Sequence, residues 1–398
     1  MRLIIVAPEP YPNGMAGTKR VTCYARAMLS VGIDCELVLF RRTEKRGKAR
    51  NTASKGVFQG VPYRYIGGSP YKGNHYVTRK FFNWLDAKLT ERYLRKNLHK
   101  GDVLFLYMGQ QLDLMLRFMN AAKSVGAFCV RDLCEIPYGT SVETEETAHM
   151  RKRVLNEQFP LLDGVISISD PLLELAKKWT RPDCKHIKVP ILVDYEEFNL
   201  PDKSMDQEVP YIFHSGTLFE QKDGILGMIE AFGKALKDIP FPVNFVLSGS
   251  VEESPHKDEI IRLINQYDLD GKVIFTGYLN DCKLSEYLSG ATLTIINKYP
   301  TLQNRYGFST KLGEYLAAGK PVIITRFGEA MNWLEDGKSA YIIDLEDNDA
   351  LARAIVRVFM NQEERKKVSE GARALCHGSF DYSIWGDPLL GFLNSLGK

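Results

Sequence analysis

The chain has 398 residues, 44% of them hydrophobic and a quarter charged, with 52 Lys+Arg against 49 Asp+Glu. At about 100–200 residues per domain, that length suits two or three domains with their own cores and excludes a disordered or fibrous protein. No apolar run approaches the roughly 18–20 residues that span a bilayer, and the opening MRLIIVAPEPYP lacks the features of a secretory leader.

In chain order, Leu3–Ala7 reads as a strand, Lys19–Val31 as a helix, and Cys35–Phe40 and Val103–Tyr107 as strands. Helix Asp113–Val125, strand Phe128–Leu133 and the short strand Gly164–Ser167 follow. Arg79–Leu98 has helical period but is basic and carries Phe81, Phe82 and Trp84. The polar stretch Asn199–Glu208, with Pro201, is the preferred linker. The same grammar then restarts: strand Tyr211–His214, helix Gly224–Leu236, strand Val243–Ser248, helix Lys257–Tyr267, strand Val273–Thr276 and helix Lys283–Ser289. Strand Leu293–Asn297, helix Lys311–Ala318, strand Pro321–Ile324, a short strand Ala340–Ile343 and helix Ala350–Asn361 complete the series. Alternating βα units of this kind predict an α/β protein with two parallel-sheet halves. Ligands of such sheets bind outside the C-terminal strand ends, and two facing domains leave a cleft.

Seven scattered cysteines with no CxxC pair suggest buried thiols and a cytoplasmic redox setting. The histidines form no HExxH or HxH, and no DxD of the kind that holds a divalent cation against a diphosphate is recognised, so no metal site is expected. Charge is unevenly placed. Residues 41–100 hold 16 Lys/Arg against Glu44, Asp86 and Glu91, a local excess of +13 that leaves −10 for the rest. Such a split calls for an anionic partner. Nucleic acid is disfavoured, because no reader motif accompanies the charge. A membrane surface or an anionic acceptor fits better, since Phe81, Phe82, Trp84 and Leu85 are flanked by Lys/Arg. A plain domain core around those aromatics is the alternative.

Three segments can carry chemistry. The loop Pro8–Lys19, with Gly14 and Gly17, follows a strand and leads into a helix whose free N–H groups suit an anion. Phe213–Gly224 repeats the plan, with Gly216 at a strand end and Lys222 before the next helix. An ordinary turn and a solvated lysine would look the same. The richest segment is Tyr306–Ile323. Gly307 permits close backbone approach, and Ser309 and Thr310 suit the cap of a helix that Gly319 ends. Glu314 lies one turn inside, on the face of Lys311, either to accept hydrogen bonds from ribose hydroxyls or as half of a surface pair.

The run Ser309–Ile323 resembles the nucleotide-sugar motif of retaining GT-B glycosyltransferases of family four (group 1), in a form similar to bacterial polysaccharide-assembly enzymes. The likeness extends to Val273–Leu279, Ile166–Asp170, Val189–Phe198 and Gly14–Lys19, and is strongest from about 210 to 345. It implies two Rossmann-like domains facing a cleft: an acceptor domain at 1–200, a nucleotide-sugar domain at 201–375, and a segment 376–398 crossing back to the first. The implied donor, UDP- or GDP-linked, would be held by Gly17, Gly216, Thr217, Lys222, Gly277 and Tyr278. Gly307, Phe308, Ser309, Thr310, Lys311, Leu312 and Glu314 would complete that set, with Glu314 on the ribose and Lys222 neutralising the leaving diphosphate. No other cofactor is implied.

Departures from the family's pattern are visible. Tyr306 stands where the first of two glutamates is usual, and Thr217 where many relatives carry an Arg for which Arg305 or Lys311 could substitute. No His lies between His99 and His149, so Asp132 and Glu135 become the catalytic candidates beside Lys222. Loop-binding strand-end carboxylates are the plainer reading of those two. The expectation is transfer of a sugar, with retention and without metal, to a lipid-linked or glycan acceptor by a cytoplasmic protein peripheral at the inner membrane face. A non-catalytic partner subunit or a UDP-sugar epimerase are the alternatives.

Overall fold

A computed structural model describes residues 1–109, 111–139, 143–216 and 218–398. Two units emerge: Met1–Val193 with Tyr382–Lys398, and Asp194–Asp381. The chain thus leaves the first unit ahead of the polar stretch 199–208, which belongs to the second.

The first unit holds β1 (Arg2–Ala7), β2 (Asp34–Leu39), β3 (Lys55–Phe58), β4 (Val61–Tyr65), β5 (Val103–Leu106), β6 (Phe128–Leu133), β7 (Gly164–Ser167) and β8 (Lys185–Lys188). They form one sheet in the order β3-β4-β2-β1-β5-β6-β7-β8, parallel except for the β3–β4 hairpin. Leu3 through Ala7 are all fully buried, as a central parallel strand covered on both faces demands. Helix Ala16–Ser30 packs against this core together with helix Gly386–Asn394, whose Leu389, Phe392 and Leu393 are buried. The C-terminal segment Tyr382–Lys398 is therefore part of the first unit's core.

Three of these strands, β3, β4 and β8, lack an apolar run and were not expected. In the β3–β4 hairpin, Gln59 and Gly60 both take positive φ (48° and 81°), the conformation of a tight two-residue turn. Burial in β4 alternates, so Val61, Tyr63 and Tyr65 face inward and Pro62 and Arg64 do not. β8 reads Lys-His-Ile-Lys and is half-buried throughout, an edge strand. Several helices were also unmarked, among them Glu145–Arg153, Asp170–Trp179, capped by Ser169 with a proline in its first turn, Gln362–Ser379 and Gly386–Asn394.

The second unit holds β9 (Tyr211–Ser215), β10 (Asn244–Ser248), β11 (Val273–Gly277), β12 (Leu293–Ile296), β13 (Val322–Thr325) and β14 (Tyr341–Ile343). The all-parallel order is β11-β10-β9-β12-β13-β14. Chain order reverses between β9 and β12, so the switch point lies where those two strands end. Phe213, Phe245, Leu247, Ile295 and Ile323 are buried across this sheet.

Candidate functional site

At the switch point of the second unit, side chains from two strand ends, one short turn and one helix meet. His214, near the end of β9, is buried and donates Nδ1–H to the Ile295 carbonyl at 2.9 Å. Its Nε2 is buried with no partner among the described residues. Burial, and then the nearby Lys311 ammonium, lower the imidazole to about 3, so the ring is neutral at physiological pH. Asp223 is 1% exposed and ends the short turn Glu220–Asp223. That turn is pinned by Glu220, which accepts from Tyr299 Oη and the Leu226 N–H, both at 2.6 Å.

Two lysines close on the Asp223 carboxylate. Lys311 Nζ sits 2.5 Å from Oδ1 and Lys298 Nζ 3.6 Å from the same oxygen. Burial alone would raise the Asp223 carboxyl, but the lysines outweigh it and hold it well below the usual carboxylate range. Burial and Lys311 repulsion lower the Lys298 ammonium to about 8, against the pull of Asp223. Gly216 leaves room for this cluster: a Cβ there would stand 2.7 Å from Lys311 Nζ, 2.8 Å from Asp223 Oδ2 and 2.9 Å from His214 Nε2. Gly249 lets the neighbouring strand end close in, since its Cβ would lie 2.4 Å from the Gly216 carbonyl oxygen.

The sequence candidates fall into three groups. Gly216, Lys311, Ser309 and Thr310 gather at the switch point, with Lys222 exposed on the pinned turn and close enough to repel Lys298. Ser309 caps helix Thr310–Ala317 without a side-chain hydrogen bond and the first turn holds no acid, features that suit an anion, although the Leu312 N–H is spent on the Ser309 carbonyl at 3.1 Å. Glu314 is half-buried one turn along that helix. Lys311 reaches Asp223, not Glu314, which removes the surface-pair reading of those two. Gly277 (φ 70°) ends β11, and Tyr278 beside it is 54% exposed. Gly307 follows the one-turn helix Leu302–Tyr306. Phe308 and Leu312 point inward instead: Phe308 is 8% exposed and meets Phe380 edge-on, and Leu312 is fully buried. Thr217 lies outside the described residues.

In the first unit, the candidate carboxylates part company. Asp132 is 3% exposed and spent on neighbours: Arg20 donates to it at 3.1 and 3.2 Å, and Tyr24 Oη at 2.7 Å. Arg20 also donates to the Pro190 carbonyl at 2.7 Å, so the cluster ties three chain segments together. Glu135 is exposed and near enough to Glu9 to raise the Glu9 carboxyl, whose burial is the larger cause. Glu9 fills the space beside Gly17, where a Cβ would come within 2.9 Å of both its carboxyl oxygens. Sequence reasoning missed Glu9, His214, Asp223 and Lys298.

The basic region has a distinct surface. Helix Tyr76–Asn97 buries Asp86, Ala87, Thr90 and Leu94 and exposes Tyr76 (63%), Val77 (75%), Phe81 (54%) and Trp84 (50%). The core alternative for Phe81 and Trp84 is thereby excluded. Lys80 lies over the Tyr76 ring at 4.6 Å and Lys88 over Trp84 at 4.1 Å. Two of the region's three acids are buried, Asp86 against Arg42 and Glu44 against Asn51 and the Arg50 amide. The exposed charge is therefore almost wholly positive. No helix among the described residues is long and apolar enough to cross a membrane.

Comparison with known proteins follows the same division. Residues 196–375 match the model of the glycosyl transferases group 1. Over the whole chain the fold is similar to sucrose-phosphate synthase from Thermosynechococcus elongatus, with TM-score 0.74, 15% identity, and 99% of this chain and 98% of that one covered. It is similar also to Anabaena HepE in complex with UDP and glucose, with TM-score 0.71, 14% identity and both chains fully covered. These likenesses show the fold, which is GT-B. Among curated relatives, the lipopolysaccharide core biosynthesis glycosyltransferase LpsE of Rhizobium meliloti is 25% identical over 47% of this chain and 51% of its own length. A trehalose phosphorylase of Grifola frondosa is 39% identical over 18% of this chain and 10% of its own. The chain thus spans from a tenth to about half of these relatives' lengths.

Proposed function

From a glycosyl transferases group 1 domain at residues 196–375 in a GT-B fold, we propose that this chain transfers a sugar from a nucleoside diphosphate donor to an acceptor hydroxyl. The observation that carries this reading is the cation cluster beside an uncapped helix start at the second unit's switch point. A departing diphosphate gains negative charge in the transition state, and preorganised ammonium and amide groups stabilise it there. Lys222, Lys311 and the Ser309/Thr310 amides take the diphosphate, and Glu314 takes the ribose hydroxyls. Gly277 and Tyr278 border the base, and Gly216 leaves room for the phosphates. Cations supplied by lysine support a metal-independent reaction. Retention follows the resemblance of Ser309–Ile323.

The acceptor belongs to the first unit. Glu135, next to Glu9, is the carboxylate available to an acceptor hydroxyl there, whereas Asp132 holds the unit together. The exposed aromatic face of helix Tyr76–Asn97, ringed by lysines, supports peripheral binding to an anionic membrane and hence a lipid-linked acceptor. UDP and GDP, their sugar conjugates and ADP, each with and without EDTA, test the donor assignment by thermal shift. One nucleoside diphosphate is expected to raise the melting temperature equally in both conditions. A rise abolished by EDTA overturns the metal-free part. A bound sugar nucleotide that is neither transferred nor hydrolysed favours a binding-only subunit.

A further inference from the structure

We propose that Lys298, on the far side of the switch point from β9, is a second diphosphate-holding cation that works as a pair with Lys311 across Asp223. This rests on the donor-site reading above and adds a residue to it. Lys298 lies two residues past the end of β12, so the sheet sets its position closely. Its N–H donates to Thr325 Oγ1 at 2.8 Å, and the Thr325 hydroxyl donates back to the Lys298 carbonyl at 3.1 Å. The ammonium donates to the Lys222 carbonyl at 2.7 Å, which directs it toward the pinned turn.

Charge supplies the argument. The charged groups that act on Lys298 are Lys311, Asp223 and Lys222, three ammonium groups in all against one carboxylate. His214 adds none, being neutral. The Lys298 and Lys311 side chains are only 15% and 17% exposed, so water screens their repulsion poorly. A structural ion pair would need one lysine, and a second placed beside it costs stability. The arrangement makes sense when a multivalent anion completes it. The neighbouring helix start, uncapped and free of acids, presents its amides to the same anion. A diphosphate carries more charge and a longer row of oxygens than a monophosphate, so it engages both lysines at once more fully.

Calorimetric titration with UDP, GDP, ADP, their monophosphates and inorganic pyrophosphate provides the test. Lys298→Met, which keeps the aliphatic stem, should weaken the tightest nucleoside diphosphate by about tenfold or more and its monophosphate by less than about threefold. Lys298→Arg should stay within about threefold of the parent for both. The ligand-free melting temperature of Lys298→Met should not fall. Unchanged diphosphate affinity in Lys298→Met overturns the assignment. Equal loss of both nucleotides with a lower melting temperature also overturns it, because Lys298 would then only brace the turn. If no nucleotide binds the parent chain, the donor reading fails. Pyrophosphate affinity that depends on Lys298 would still uphold the anion pair, and independence from it would reject the pair as well.

Discussion

The two units carry polar clusters at equivalent places, the C-terminal ends of parallel strands, but the clusters differ in charge balance. In the first, Arg20 faces Asp132 and Tyr24 one to one, and every carboxylate contact is a short internal hydrogen bond. In the second, Lys298 and Lys311 crowd a single Asp223 while Lys222 repels Lys298, and the buried His214 Nε2 has no partner among the described residues. A balanced cluster has satisfied itself and holds chain segments together. An unbalanced one stores a mismatch that a ligand can relieve. The contrast extends outward: the first unit displays its positive charge on the surface around Phe81 and Trp84, whereas the second unit's lysine cluster at Asp223 is mostly buried.

The sharpest way to break this contrast is Asp132→Ala. Removing one partner of a buried pair strands Arg20, at a cost of about 3–5 kcal/mol, so urea denaturation should show a large loss while nucleotide affinity of the folded protein is unchanged. A variant of native stability with no turnover would make Asp132 catalytic instead. Next in size is Glu314→Ala. Losing charge-assisted hydrogen bonds worth about 1.5–3 kcal/mol should weaken nucleoside diphosphate binding by about 10–100-fold with little change in melting temperature. Full donor affinity in that variant would remove the ribose assignment.

A smaller effect tests the outer charge. Phe81→Ser with Trp84→Ser should lower binding to vesicles containing anionic lipid by about tenfold and leave nucleotide affinity intact. Binding should also weaken with salt, and unaltered partitioning of the double variant would discard the membrane face. The smallest effect is on pH. Lys298 holds its proton below about 8 and loses it as pH rises through that value, with Lys222, Lys311, Asp223 and His214 around it. The protonated form is the one that binds an anion, so diphosphate affinity should fall severalfold from pH 7 to pH 9 with proton uptake on binding. A flat profile would mean that Lys298 does not face the ligand.

Much of this was legible in the sequence. Central strands such as Leu3–Ala7 and Leu293–Ile296 are continuous apolar runs because both sheet faces are covered. The β3–β4 hairpin and β8 were not legible, since an edge strand needs little apolar surface and Pro62 argues against a strand at all. The helix beginning at Thr310 was found from its capping residues and closing glycine. Its partners were not. Asp223 is 88 residues from Lys311, and the strand order brings it to the two lysines. A lysine after a strand reads as solvated until the sheet is known. Phe308 and Leu312 show the converse, motif residues whose side chains serve the core.

The most direct test of the central claim is a crystal structure of the chain with the nucleoside diphosphate that stabilises it most. The account predicts diphosphate oxygens within about 3 Å of Lys298 Nζ and of the amides that open helix Thr310–Ala317. A diphosphate held only at the Gly14–Lys19 loop, with the lysines around Asp223 untouched, would contradict it.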